Sequence, residues 1–402
     1  MLNSLQLIFE RLLAQTSLKY HRFLFYQFER NNRLTGIVGP RGVGKTTLML
    51  QLIKQYYADK KNVFYFSADH IFFKNNTMYF FIEQLYIKQN ITIFFIDEIH
   101  KYENWNQELK NIYDGFPEIK LVFSGSSSLD LVKGSYDLSR RANLYHLPGL
   151  SFREYLNFTL NLDCKSYSLA ELIGMAQDLN AVFAQIPDLV SHFHYYLKQG
   201  FYPFFAEDPL SYYQRLLRVI DKTIYEDISN FYNLRTSNLR YMSNILNYLA
   251  SIPPGEISSH NLSKNLSIDD KTVTSYLHML QETGLVEILY PKEGGNQGLR
   301  RPQKVFLSNT NFHYALGEHL ISPIEVGTIR ELAFIQATKQ AGYDVFHSKL
   351  GDYQVGSYTF EIGGKNKTRK QIVGVKNAFV LKDDTTIATS TSIPLAFFGF
   401  LY

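Results

Sequence analysis

From residue 34 to residue 147 the chain alternates short apolar runs with helix-period segments. Five runs predict strands: Leu34–Val38 and residues 63–66, 91–96, 120–126 and 142–147. Between them, Leu48, Leu52 and Tyr56 recur at helical spacing, and residues 77–89 and 127–139 read as further helices. Residues 1–33 read as helices, with apolar positions at Leu5, Ile8 and Leu12 and again over 23–28. Residues 157–237 are mostly helical by pattern, and their aromatic cluster at 192–205 reads as core. The pattern changes again after Leu239. A helix over 257–266 and a turn at 267–269 precede Val273, Leu277 and Leu280, which share one helical face. Strands at 285–289 and 305–307 follow, joined by the glycine-rich 292–303, which gives a helix-turn-helix with a wing. The final apolar run, 393–402, is too short to cross a bilayer.

The first strand opens onto Gly39-Pro40-Arg41-Gly42-Val43-Gly44-Lys45-Thr46-Thr47, which fits G-x-x-x-x-G-K-[ST] at every fixed position. Glycines there let backbone N–H groups approach phosphate oxygens that a Cβ would hold off. Lys45 suits the β- and γ-phosphates and the Thr46 hydroxyl suits Mg²⁺, at the N-terminus of a helix whose dipole favours an anion. A nucleoside triphosphate is therefore the expected ligand, with residues 39–47 as its cradle.

About fifty residues on, the run 91–96 ends in Asp97 and Glu98. A strand apolar on both faces puts them at its carboxyl end, where open α/β sheets bind ligands. Asp97 is the expected second Mg²⁺ ligand, and Glu98 the group that polarises the attacking water. The next strand presents Ser124, either to the γ-phosphate or lytic water or merely as a turn former. Arg140 and Arg141 precede the fifth strand. They read either as a finger offered to a neighbouring subunit's site, which requires a homo-oligomer, or as surface cations near a helix end.

Composition changes little in this picture. Charged residues at 19% and aromatics at 15% describe a globular chain, and a net charge of +4 over 402 residues names no partner. A single cysteine, Cys164, excludes an internal disulfide or a cysteine-based zinc site and suits a reducing compartment. With Glu10 and Arg11 interrupting the apolar positions near the N-terminus, neither a secretory signal nor a membrane span is read, so the expectation is cytoplasmic.

The segments GPRGVGKTT, FFIDEIH with the following Trp105, LVFSGSSS, the Arg141 position and PGLSFREYL (148–156) together resemble AAA-type ATPases of a large prokaryotic family. In that family the ATPase precedes a winged helix and a restriction-endonuclease-like region. The resemblance implies ATP as ligand, a five-stranded parallel sheet, Glu98 as catalytic base and Arg141 as the better finger. It sets the expected organisation: an α/β P-loop NTPase domain of AAA type at 1–156, a helical connector at 157–237, a winged helix at 238–310 and a small α+β endonuclease-like domain at 325–402.

In the winged helix, Lys271, Thr272, Ser275 and His278 face a prospective groove, behind Asp269 and Asp270, which repel a phosphate backbone. Residues 256–310 carry six Lys/Arg and six Asp/Glu, where a strong DNA footprint is basic. Only the wing, with Lys292, Arg300, Arg301 and Lys304, is basic, so DNA and protein partners both stay open. A working endonuclease-like tail needs an Asp on one strand and Glu-x-Lys on the next. Asp352 and Glu361 suit the acids and Glu331 adds a helical one, but Gly363 stands at the lysine position and Lys365 falls two residues late. A degenerate, non-cutting domain is expected.

Two classes of function follow: an ATP-dependent protein switch or regulator, favoured by the neutral winged helix, and a DNA-associated ATPase, favoured by the wing cations. A small-molecule phosphotransferase is disfavoured, because Glu98 suits water activation.

Overall fold

The computed structural model describes every residue except 1, 58–60, 126–137, 139, 253–255, 258 and 293–302. The expected helix at 127–139, apart from Leu138, and the wing residues Arg300 and Arg301 lie outside the described residues. The chain divides into two compact units, Met1–Gly149 and Leu150–Tyr402.

The first unit contains α1 (Leu2–Gln15), α2 (Phe23–Gln27), β1 (Leu34–Val38), α3 (Lys45–Tyr56), β2 (Val63–Ser67), α4 (Met78–Gln89), β3 (Ile93–Asp97), α5 (Trp105–Gly115), β4 (Lys120–Gly125) and β5 (Asn143–His146). Its five strands form one sheet in the order β2-β3-β4-β1-β5, and every pairing is parallel. The apolar runs are long enough to be covered on both faces, which parallel strands require. Alternation then sorts them. Phe64, Phe66, Phe94, Ile96 and Phe123 join Phe81, Leu85, Trp105 and Leu109 of α4 and α5 in one core, while Phe95 meets Tyr57 beyond the end of α3. Each such buried side chain contributes about 1.5–3 kcal/mol. Because β4 lies between β1 and β3, the carboxyl ends of these three strands emerge side by side.

The second unit begins with α6 (Phe152–Leu160), α7 (Leu169–Gly174), α8 (Leu179–Phe183), α9 (Leu189–Gln199) and α10 (Tyr212–Lys222). A π-helical turn, Thr223–Ile228, continues α10 into α11 (Ser229–Tyr232). Next come α12 (Thr236–Ser251), β6 (Glu256–Ile257), α13 (Ser259–Leu266), α14 (Asp270–Glu282), β7 (Val286–Leu289) and β8 (Gln303–Leu307). The helix expected from residue 257 is corrected here. Glu256 and Ile257 pair with β8 as strand, and the helix starts at Ser259. Strands β6, β8 and β7 form an antiparallel sheet beside the α13–α14 pair, whose Val273, Leu277 and Leu280 are all buried.

The remaining elements are α15 (Thr310–Leu320), α16 (Val326–Gln340), β9 (Phe346–His347), β10 (Tyr353–Val355), β11 (Tyr358–Gly363), β12 (Ala378–Lys382) and β13 (Ser392–Pro394). These strands make a mixed sheet in the order β13-β12-β11-β10-β9. Phe334 of α16 packs on it against Tyr353, Phe360 and Phe398 at ring distances of 5.7, 5.1 and 5.2 Å. Buried Asn311 fastens α15 to α9 by donating to the carbonyls of Tyr196 (3.1 Å) and Leu197 (2.8 Å).

Candidate nucleotide site

The loop after β1 closes through two glycines. A Cβ on Gly39 would meet the Leu147 carbonyl oxygen at 2.1 Å, so only glycine lets the chain pass there. Gly44, the residue before α3, has φ 98°, a left-handed conformation that disfavours a side chain. The backbone N–H groups of a helix's first turn lack intrahelical acceptors and suit an anion, and the loop delivers the chain to the first turn of α3. Thr47 is exposed on that turn.

Lys45 is 5% exposed, and its Nζ donates to the carbonyls of Gly39 (2.8 Å) and Pro40 (2.9 Å). The ammonium thus lies folded into the loop that it is expected to serve. Arg22, also buried, braces the same loop from outside: its guanidinium donates to the carbonyls of Val43 (2.7 Å), Pro148 (2.8 Å) and Gly149 (2.8 Å). Nothing in the sequence around Arg22 marked it, because its partners are backbone carbonyls distant in the chain.

The order of the strands brings Thr46, Asp97, Glu98 and Ser124 together. Thr46 Oγ1 donates to Asp97 Oδ2 at 2.5 Å, and Tyr65 donates to the same oxygen at 2.9 Å. Ser124 donates to Asp97 Oδ1 and accepts the Glu98 N–H at 3.1 Å. The Ser124 hydroxyl is therefore engaged with the two acidic positions, and its place is on a buried strand rather than in a turn. Burial, then the charge of Asp97, pushes the Tyr65 phenol far above its usual range, so it stays a donor to that carboxylate. Tyr65 was missed in the sequence because its strand reads as an uninterrupted apolar run.

Glu98 adopts φ 51°, a left-handed conformation uncommon for residues with a side chain and concentrated at functional sites. Its carboxylate is 27% exposed and lies 3.5 Å from Nε2 of His100, whose side chain is 3% exposed. His146, exposed at the end of β5, also borders the loop. Crowding by protein atoms and then the Lys45 ammonium lower its pKa. Neither histidine was singled out in the sequence.

Arg141 is elsewhere. It precedes β5 at the amino edge of the sheet, the edge opposite the loop, and its Nε and Nη2 contact Asp114 at 3.0 and 3.1 Å. Arg140 is exposed.

In the tail, Asp352 Oδ2 accepts the Ile362 N–H at 2.7 Å, and Glu361 is fully buried on β11. The lysine that reaches Glu361 is not Lys365, which is exposed, but Lys367, with Nζ at 2.5 Å. Its stem lies where a side chain on Gly363 would stand, 2.6 Å from that Cβ position, so the chain folds back to fill the gap at 363. Spacing along an extended strand could not show this, because β11 ends at Gly363.

This sheet order, loop and acidic pair define a P-loop nucleotide-binding core. Residues 31–156 match the family model described as an AAA domain. Residues 31–156 are thus similar to AAA-type P-loop domains. Residues 190–317 match a second model, described as a domain of unknown function (DUF8612). No curated protein matches the chain. Among solved structures, it is similar to AMPPCP-bound DnaA from Aquifex aeolicus at 16% identity, over 68% of this chain and 86% of that one, with TM-score 0.26. It is also similar to C. elegans PCH-2 at 16% identity, over 67% of each chain, with TM-score 0.26. A third likeness is to the S. cerevisiae Hsp104–ADP complex at 13% identity, over 68% of this chain and 39% of that one, with TM-score 0.30.

Lys45→Ala removes both the ligand's cation and two bonds inside the AAA domain. Binding of a fluorescent ATP analogue is expected to be lost, and urea unfolding should show a stability loss of about 1–3 kcal/mol with the fold retained. Unchanged analogue affinity would exclude residues 39–47 as the cradle.

Proposed function

We propose that the protein binds and hydrolyses ATP with Mg²⁺ and uses the cycle as a nucleotide-dependent switch on a protein partner. The observation that carries the reading is the 2.5 Å contact between Thr46 and Asp97, two oxygen ligands held together beside a buried lysine at a helix N-terminus. Thr46 and Asp97 fit a hard cation, and residues 39–47 fit a polyphosphate. Mg²⁺, when bound, supplies charge neutralisation at the phosphates. Lys45 exchanges two loop carbonyls for phosphate oxygens. Glu98 orients and polarises the attacking water, while Ser124 holds both the Asp97 carboxylate and the Glu98 backbone.

The sequence of α12, β6, α13, α14, β7 and β8 supports the winged-helix reading of 238–310. Of the wing cations, the two among the described residues, Lys292 and Lys304, favour a switch over DNA contact. Lys304 lies 3.1 Å from Glu331, at 11% and 16% side-chain exposure, and Lys292 donates to the Gly356 carbonyl at 2.8 Å. Both are thus engaged with the tail. Asp269 caps α14, accepting the N–H groups of Lys271 and Thr272 at 3.0 Å each, so its charge stands permanently where a phosphate backbone would approach. The endonuclease-like reading of 325–402 is retained in its non-cutting form. Glu361 meets Lys367 and, with its amide turned nitrogen-inward, Gln371, which commits the carboxylate to protein donors.

Glu98→Gln keeps the shape of the site and removes the base. ATP binding should persist while steady-state phosphate release falls about 10²-fold or more. Turnover at the wild-type rate would demote Glu98 to a solvated acid.

Arg141 is proposed to act on a neighbouring subunit, which requires it to leave Asp114. Mixing Arg141→Ala with Glu98→Gln protein should restore part of the activity, since mixed assemblies contain intact composite sites. A monomeric mass by light scattering with no recovery counts against this.

Plasmid DNA incubated with Mg²⁺ or Mn²⁺, with or without ATP, should remain uncut. Nicking that disappears in Asp352→Ala and Glu361→Ala would promote a nuclease role over the switch.

A further inference from the structure

At the amino edge of the first unit's sheet lies a cavity of about 460 Å³, within the size range of small-ligand sites. It is bounded by Phe25 and Tyr26 of α2, Arg30 on the way into β1, Tyr56 at the end of α3 and Lys120 at the start of β4. Five residues of β1 separate this edge from the phosphate loop, about 16 Å of strand, so one nucleotide cannot occupy both. We propose that this cavity is a second site, for a nucleotide unit carrying a base and a phosphate, independent of residues 39–47.

Aromatic groups prepared for stacking are the first support. Phe25 stacks on Tyr56 with centroids 5.4 Å apart and planes 22° apart, and Tyr26 stands edge-on to Phe25 at 5.4 Å while 73% exposed. A tyrosine so open in a cavity wall offers a ring face to a base.

Unspent cations are the second. The Arg30 guanidinium lies 4.3 Å over the Tyr56 ring, which fixes its plane but uses none of its N–H donors. Lys120 Nζ reaches only toward the Arg30 carbonyl, at 3.5 Å. Among the described residues neither cation forms an ion pair. Two cations held on adjoining walls with free donors match a phosphate group. Glu29 is the one acid of the lining, and the carbonyls ending α3 are also mildly repulsive to an anion. These limit the charge the site accepts, and favour a monophosphate or one internucleotide linkage over a triphosphate. A free mononucleotide and a single-stranded nucleic acid share this chemistry.

The test uses full-length Lys45→Ala protein, so that the phosphate loop contributes nothing. Thymidine monophosphate is titrated by calorimetry, and a fluorescein-labelled dT oligonucleotide by anisotropy. At least one of the two should bind. Tyr26→Ala and Lys120→Gln, both at accessible positions, should each weaken that binding about tenfold. In a Lys45 background, the same two changes should leave ATP-analogue affinity unaltered. Mononucleotide binding matched by the oligonucleotide assigns the free nucleotide. Tighter oligonucleotide binding that falls steeply with salt assigns a nucleic acid. No binding of either probe, or binding indifferent to Tyr26→Ala and Lys120→Gln, overturns the proposal.

Discussion

The first unit depends on where one carboxylate is held. Asp97 ends a strand with no polar residue before it from Ile93, and its two oxygens receive three hydroxyls, from Thr46, Tyr65 and Ser124. These come from α3, β2 and β4, so a single anion on β3 ties its two neighbouring strands to the phosphate-loop end of α3. A buried, multiply hydrogen-bonded carboxylate of this kind is rigid, since releasing any partner leaves an uncompensated charge. That rigidity suits the metal-ligand role proposed for Asp97. It also passes the position of Asp97 on to Glu98, whose N–H is shared by Asp97 and Ser124.

The loop itself is held by two cations. Lys45 is satisfied by its own loop carbonyls, and Arg22 secures the Val43 carbonyl from behind. Both cations thereby satisfy backbone carbonyls of the loop. Among the described residues, no side chain of the loop is buried without a hydrogen-bond partner.

In the second unit, polar contacts connect segments that the sequence separates. Lys304 and Lys292 turn toward the tail, Lys339 pairs with Glu287 of β7, and Pro291 bridges to His347. Cations that look available for a nucleic-acid backbone are instead partners of acids and carbonyls within the same chain. The engagement of Lys292 and Lys304 leaves these two side chains less open to a nucleic-acid backbone.

Local rules were enough for the five strands of the first unit, the phosphate loop and the two acids at the end of β3, because each is encoded within a few neighbouring residues. Apolar runs too long for one-sided burial dictate buried strands, and glycine spacing dictates the loop. The resemblance added the parallel sheet. Several other features are invisible to such rules. Tyr65 is hidden inside an apolar strand, and its hydroxyl gains meaning only because β2 lies beside β3. Arg22 binds carbonyls over a hundred residues away. Lys367 reaches Glu361 because the chain turns back at Gly363, where spacing along a strand had pointed to Lys365. Residues 256–257 are strand because β8 is there to pair with them. Composition and periodicity fixed which segments are buried; tertiary packing alone decided which buried or charged groups meet, since hydrogen bonds and ion pairs act over a few ångströms regardless of separation in the chain.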